Sequence, residues 1–182
     1  VFLGHRLSRD IDLVCHQRVD LRGLSGLLSE VAAESGGTVR LVQDAGTFVR
    51  GELRLVDAAI DVDLLFEGAE DLQPATNVEG VQVESLTDLR AAKLTCLLSR
   101  SEPRDLVDLL FLDRAGYPPE QDLPLAVRKD AGIDPGVMAW LLGQFPVEPL
   151  PQMLAPLSVE ELRQFRDELR ERIRRVAMTA PG

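Results

Sequence analysis

Apolar and polar residues alternate from Asp10 to Cys15 (D-I-D-L-V-C), the period of two that marks a half-buried strand. From Val19 to Glu34 the period lengthens. Val19, Leu21, Leu24, Leu27, Leu28 and Val31 recur near helical spacing, and Gly36-Gly37 stops the run as a helix C-terminus does. Strands are then predicted over Thr38 to Gln43, Phe48 to Val56 and Ala59 to Phe66, with a short one at Val81 to Glu84. Gly51 interrupts the second of these and marks either a bulge or the close approach of a neighbour.

After residue 84 the pattern is helical. Ser85 with Asp88 three positions on forms a capping signature for a helix through Leu98. Pro103 opens another over Arg104 to Arg114, ending at Gly116. Beyond Pro118-Pro119, helices are predicted at Leu123 to Lys129, Pro135 to Phe145 and Val159 to Ala177. Ser158 and Glu161 form a capping box for the last, and its thin apolar face with charges of alternating sign predicts an exposed or partner-facing helix. Trp140, in V-M-A-W-L-L, reads as helix core. The chain is therefore α+β: a mixed sheet flanked by helices over residues 1–84, then a helical region over 85–182.

Composition narrows the function classes. A formal charge of −10 disfavours a general nucleic-acid binder, which needs a basic footprint, but leaves room for one local basic patch. With only 4% aromatic residues the core must be built of Leu, Val, Ala and Ile, which suits helices on a sheet. Cys15 and Cys96 lie in apolar surroundings and read as buried thiols of a reducing compartment. There is no signal peptide and no apolar run of about 18 residues, so no membrane anchor is expected and the cytoplasm is the default. The chain opens at Val1 as though inside an element, so a preceding segment is expected.

Three constellations could carry chemistry. On one strand, Asp10 and Asp12 project from one face, and two adjacent carboxylates repel unless a cation lies between them. Mg²⁺ takes one or two carboxylates plus substrate phosphates, though a lone D-x-D equally fits a solvated strand edge. Asp61 and Asp63 share the polar face of a second strand, opposite Ile60, Val62, Leu64 and Phe66. Were that strand beside the first, a third carboxylate could complete a two-metal site; otherwise the pair is an ordinary solvent face. Finally, Lys93 follows the small residues Ala91 and Ala92, Arg100 lies two turns later, and Asp105 and Asp108 sit one turn apart on the next helix. This set suits phosphate neutralisation or a structural ion-pair network between helices, and spacing alone favours the network.

The run G-H-R-L-S-R-D-I-D-L-V resembles the G-x-R-x-S-x-D-I-D-L signature of the AbiEii/AbiGii-type nucleotidyltransferase toxins. E-S-L-T-D-L-R-A-A-K-L and S-R-S-E-P-R-D-L-V-D-L-L resemble that family's later lysine and R/K-D-x-x-D segments, and the match spans about residues 2–115. The resemblance implies a DNA polymerase β-like nucleotidyltransferase fold, an NTP substrate and Mg²⁺ or Mn²⁺. It also implies an RNA acceptor such as tRNA and, for some relatives, a toxin paired with a cognate antitoxin. Asp10, Asp12 and Asp63 are then the metal carboxylates, with Asp61 in reserve, and Lys93 completes the catalytic set. Arg6, Ser8, Lys93, Arg100 and Asp105 are the nucleotide-binding set. RNA would enter over a patch drawn from Arg6, Arg9, Lys93, Arg100 and Arg104. The family's Gly-Gly or Gly-Ser helix start, whose amides receive phosphate, is expected upstream of Val1. His5 is expected to make a backbone hydrogen bond from a loop, and His16 to lie on the surface.

Overall fold

The computed structural model describes residues 3–8, 10–16, 21, 24–69 and 71–179. Two compact units emerge: residues 8–70, and residues 71–182 joined by 1–7.

In the first unit β1 (Asp10–Cys15), β2 (Thr38–Asp44), β3 (Phe48–Arg54) and β4 (Ala59–Phe66) form one sheet in the order β1-β4-β3-β2. β1 runs parallel to β4, and the other pairs are antiparallel. The expected half-buried β1 is instead largely exposed, as an edge strand: Ile11, Leu13 and Val14 retain 39–45% of their accessible surface. α1 (Leu24–Glu34) packs on the apolar face, where Leu21, Val49 and Leu64 are buried beside Cys15 and Leu28. The expected first turn, from Val19, falls partly at residues 17–20, outside the described ones. At its end, Gly36 takes φ +70° and the Gly37 N–H donates to the Ala32 carbonyl at 2.8 Å, so the two glycines close the helix as the sequence predicts.

Gly51 is a close approach. A Cβ there would meet Val39 Cγ2 at 3.1 Å and Leu28 Cδ1 at 3.6 Å. The bulge lies across the ladder on β2, between Leu41 and Gln43.

In the second unit β5 (Thr76–Val78) and β6 (Val81–Val83) form a separate hairpin turned at Glu79 and Gly80, both at positive φ. β5 is absent from the sequence reading. α2 (Leu86–Ser99), α3 (Pro103–Arg114), α4 (Leu123–Lys129), α5 (Pro135–Leu142) and α6 (Val159–Thr179) follow. Ser85 caps α2, its hydroxyl accepting from the Asp88 N–H at 3.0 Å. Ser158 accepts from the Glu161 N–H at 3.1 Å, but the Glu161 carboxylate turns to Arg114, so only half of that capping box forms.

Two helix expectations are corrected. α6 is not a free helix: Leu162, Phe165, Leu169 and Ile173 are buried in the same core as Met138, Ala139 and Leu142 of α5. One apolar residue per turn is enough to seat it, because the remaining positions carry the charge. Trp140 is not core. It stays 67% exposed because α5 turns Met138, Ala139 and Leu142 inward instead. No helix among the described residues is long and apolar enough to cross a membrane.

Candidate functional site

In the 8–70 unit the ladder sorts side chains by face. The parallel register sets Asp10 against Asp61 and Asp12 against Asp63, and β3 adds Arg50 opposite Asp63 and Glu52 opposite Asp61. Partners in register project from the same side, so these residues share one charged face while Val49, Val62 and Leu64 occupy the other. β2 extends the charged face with Arg40, whose guanidinium reaches Glu52 Oε2 at 3.1 Å from Nε. Arg54 and Arg40 together hold the Glu52 carboxyl down at about 2.

Asp63, expected as the third metal ligand, has both carboxylate oxygens engaged by Arg50: Nε donates to Oδ1 at 2.7 Å and Nη2 to Oδ2. Asp63 is buried, whereas the Arg50 side chain is 47% exposed. The bond to Asp63 is the main cause raising the Arg50 pKa against the opposing effect of burial. The charges of Asp63, Asp61 and Asp12 raise it further. Three carboxylates thus act on one guanidinium. Ser8 donates its hydroxyl to Asp10 Oδ1, orienting the first carboxylate of the D-x-D pair. Among the described residues, no three His, Cys, Asp or Glu side chains converge as a ready metal cage.

The other expected residues lie in the second unit, where Arg6, Lys93 of α2 and Arg100 at its C-cap gather around Asp105 and Asp108 of α3. Asp108 receives the His5 imidazole at 2.8 Å from Nε2, Arg6 through Nε at 2.6 Å and Nη2 at 2.8 Å, and Lys93 Nζ at 2.7 Å. Burial alone would push the Asp108 carboxyl up, but these three donors hold it far below the usual carboxylate range. Asp105, fully buried, takes Arg100 in a two-bond fork (2.8 and 2.9 Å), with Lys93 Nζ at 3.5 Å. That fork is also the main reason the Arg100 pKa is raised. Lys93 therefore bridges the two aspartates that its spacing suggested.

His5 corrects its expectation. The ring is buried, bonded to Asp108 rather than to backbone, and stacked on Phe111 with centroids 4.5 Å apart. Its carbonyl meanwhile accepts from the Leu154 N–H at 2.8 Å, and the Leu7 N–H donates to Gln152 at 3.0 Å. The segment carrying the G-H-R motif is thereby stitched to residues 152–154 through an isolated antiparallel bridge, Arg6 to Met153. His16 is exposed, as expected, and Arg9 lies outside the described residues. Cys96 and Cys15 are partly rather than fully buried, and both are free thiols.

Sequence reasoning missed Arg50 and the convergence of His5 and Arg6 on Asp108. For Arg50 the available signal was its place on an alternating strand next to an acid-bearing one, but the pairing needs the β3–β4 register.

Comparison with curated proteins gives no match. Among solved structures, the fold resembles a crystal structure described as a candidate nucleotidyltransferase from H. pylori. Its TM-score is 0.58 at 20% identity, over 97% of this chain and 82% of that one. It also resembles the crystal structure of JHP933 from Helicobacter pylori, at TM-score 0.56 and 21% identity, over 95% and 78% of the two chains. These likenesses establish a nucleotidyltransferase-like fold. The family model described as "Nucleotidyl transferase AbiEii toxin, Type IV TA system" matches residues 1–181, with the D-x-D, lysine and R-D-x-x-D segments all inside it. The chain belongs to the AbiEii nucleotidyltransferase toxin family of type IV toxin–antitoxin systems.

Proposed function

We propose that the protein is a metal-dependent nucleotidyltransferase that moves a nucleotide from an NTP to an RNA acceptor such as tRNA, as the cytoplasmic toxin partner of a cognate antitoxin. The observation that carries this reading is the parallel register that faces Asp10 with Asp61 and Asp12 with Asp63 on one charged side of the sheet. The donor set suits Mg²⁺ or Mn²⁺: hard carboxylate oxygens, in the number Mg²⁺ uses when substrate phosphates supply the rest. That Arg50 already sits there, under the charge of Asp12, Asp61 and Asp63, supports a face that holds cations.

In this reading Asp10 and Asp12 hold the metal, with Asp63 as third ligand and Asp61 in reserve, and Ser8 keeps Asp10 oriented. When bound, the metal neutralises charge on the attacking and leaving oxygens of the transfer. Arg6, Lys93 and Arg100 are the phosphate-binding cations. They converge on Asp105 and Asp108, which hold the three cations side by side. Asp105 fixes Arg100 by its fork, a geometry that also presents the guanidinium rigidly.

The second reading is a nucleotidyltransferase fold that binds without catalysis. It is favoured by the bidentate Arg50–Asp63 pair, which occupies the third carboxylate. One experiment separates the two. Full-length protein is incubated with each labelled NTP, bulk tRNA and Mg²⁺ or Mn²⁺, beside Asp12→Ala. The expected result is metal-dependent label in RNA, reduced at least about a hundredfold by the substitution. Label that survives Asp12→Ala, or none with any NTP, transfers the assignment to the binding module.

A further inference from the structure

We propose that Arg50 is a positioning residue that holds Asp63 in the metal-free protein and passes from that carboxylate to a nucleotide phosphate when a divalent cation is bound at the acidic face. The proposal rests on the functional reading above. Its basis is a competition for the same oxygens. A buried carboxylate requires a counter-charge, and both oxygens of Asp63 already have one in the two-bond fork from Arg50. A cation that takes either oxygen meets the guanidinium charge already held there, so the two positive groups compete for one carboxylate.

Arg50 is built to leave. Its side chain is nearly half exposed while Asp63 is buried, so the guanidinium end of the pair can swing into solvent and the carboxylate cannot. The Phe48 ring, two residues earlier on the same face, lies 5.3 Å from the guanidinium carbon and offers a second resting surface. The charge balance also shifts with occupancy. Against Asp12, Asp61 and Asp63, one guanidinium leaves the face negative, and a divalent ion adds two positive charges and removes the need for Arg50 there. The released guanidinium, planar and always charged, is suited to phosphate oxygens a side chain's length away.

The test is a Mn²⁺ titration of the nucleotide-free full-length protein, read from the magnetic resonance signal of free Mn²⁺. It compares the natural protein, Arg50→Gln, Asp63→Asn and the double variant. Arg50→Gln should tighten Mn²⁺ about fivefold, the worth of a partly exposed ion pair. In the Asp63→Asn background the same substitution should change affinity less than about twofold, because there is no longer a shared carboxylate. With metal saturating, Arg50→Gln should weaken NTP binding. If Arg50→Gln unfolds the protein, Arg50→Lys replaces it; a lysine keeps the charge but not the fork, and should tighten Mn²⁺ about twofold. Equal Mn²⁺ affinity with and without Arg50 overturns the proposal and leaves the functional reading standing. Equal tightening in both backgrounds overturns it too, since that is a general field effect. No Mn²⁺ binding by any variant overturns both.

Discussion

Asp88→Ala should be among the most destabilising substitutions in the 71–182 unit, and the contacts of Asp88 say by how much. The side chain is fully buried at the third position of α2. Its Oδ1 accepts from the Leu72 N–H at 2.8 Å and lies 2.8 Å from Lys129 Nζ. Its Oδ2 accepts from the Gln73 N–H at 3.0 Å and the Ser85 hydroxyl at 2.6 Å. Lys129 is itself 3% exposed, with Glu84 Oε1 at 3.4 Å. Burial would raise the Asp88 carboxyl, but the Leu72, Lys129, Ser85 and Gln73 donors outweigh it and hold it at about 2, against an ordinary 3.8. That gap is worth about 2 kcal/mol of stability for the ionised form. Removing the carboxylate altogether also takes the 2.8 Å partner from a buried ammonium and the acceptor from two backbone donors, so Asp88→Ala should cost about 3–5 kcal/mol. Asp88→Asn, which keeps the shape, should cost about 2 kcal/mol.

Urea unfolding at pH 7 measures both, and the sign with pH is fixed. The folded pKa is depressed, so the contribution is whole above the unfolded value near 3.8 and is lost as pH falls toward 2. About half should be gone by pH 3, where the gap between the natural protein and Asp88→Asn should have narrowed to about 1 kcal/mol. A loss under about 1 kcal/mol for Asp88→Ala, or a gap to Asp88→Asn that stays constant from pH 7 to pH 3, would refute the reasoning.

Three further outcomes follow from the same packing. Lys93→Ala should weaken NTP binding by the full-length protein by about 1.5–3 kcal/mol, the worth of a charged hydrogen bond, while stability falls less because Asp108 keeps His5 and Arg6. A fall of several degrees in melting temperature with unchanged NTP affinity makes Lys93 structural. Leu169→Ala, in the fully buried stripe of α6, should cost about 2–5 kcal/mol by urea unfolding, and a loss below about 1 would return α6 to the surface. The Cys96 thiol is pushed up chiefly by burial and also by the Asp105 charge. Its alkylation by iodoacetamide at pH 8 should therefore run at least about tenfold slower in the folded protein than in urea; equal rates would refute that.

What could be read in advance was what depends on near neighbours in the chain. The strand periods at Asp10–Cys15 and Ala59–Phe66, the Gly36-Gly37 stop and the Ser85 and Pro103 helix starts are local signals, and each marks an element boundary to within a residue or two. What escaped depends on which face meets which. α5 is apolar nearly all round, so nothing in V-M-A-W-L-L distinguishes the buried Met138 from the exposed Trp140. The α6 stripe looked thin because a helix needs only one Leu or Phe per turn when the facing surface is a preformed helix, and the facing surface is invisible in the chain's own pattern. His5 escaped for a related reason: its partner Asp108 is 103 residues away, and a histidine beside an arginine says nothing of a shared distant carboxylate.

The acidic face combines both cases. Alternation puts Asp61 and Asp63 on one side of β4, and the D-x-D of β1 does the same for Asp10 and Asp12. Whether the four carboxylates share one face is decided by β1 joining β4 at the sheet edge. Their counter-charge is set by something subtler still. The short β3–β4 connection puts Arg50 opposite Asp63, and a one-residue slip would turn the arginine toward the apolar side and leave the buried carboxylate without a partner. The register of that hairpin therefore carries electrostatic as well as packing information. A metal site on this face would inherit its resting state from β3, a strand with no acidic motif of its own.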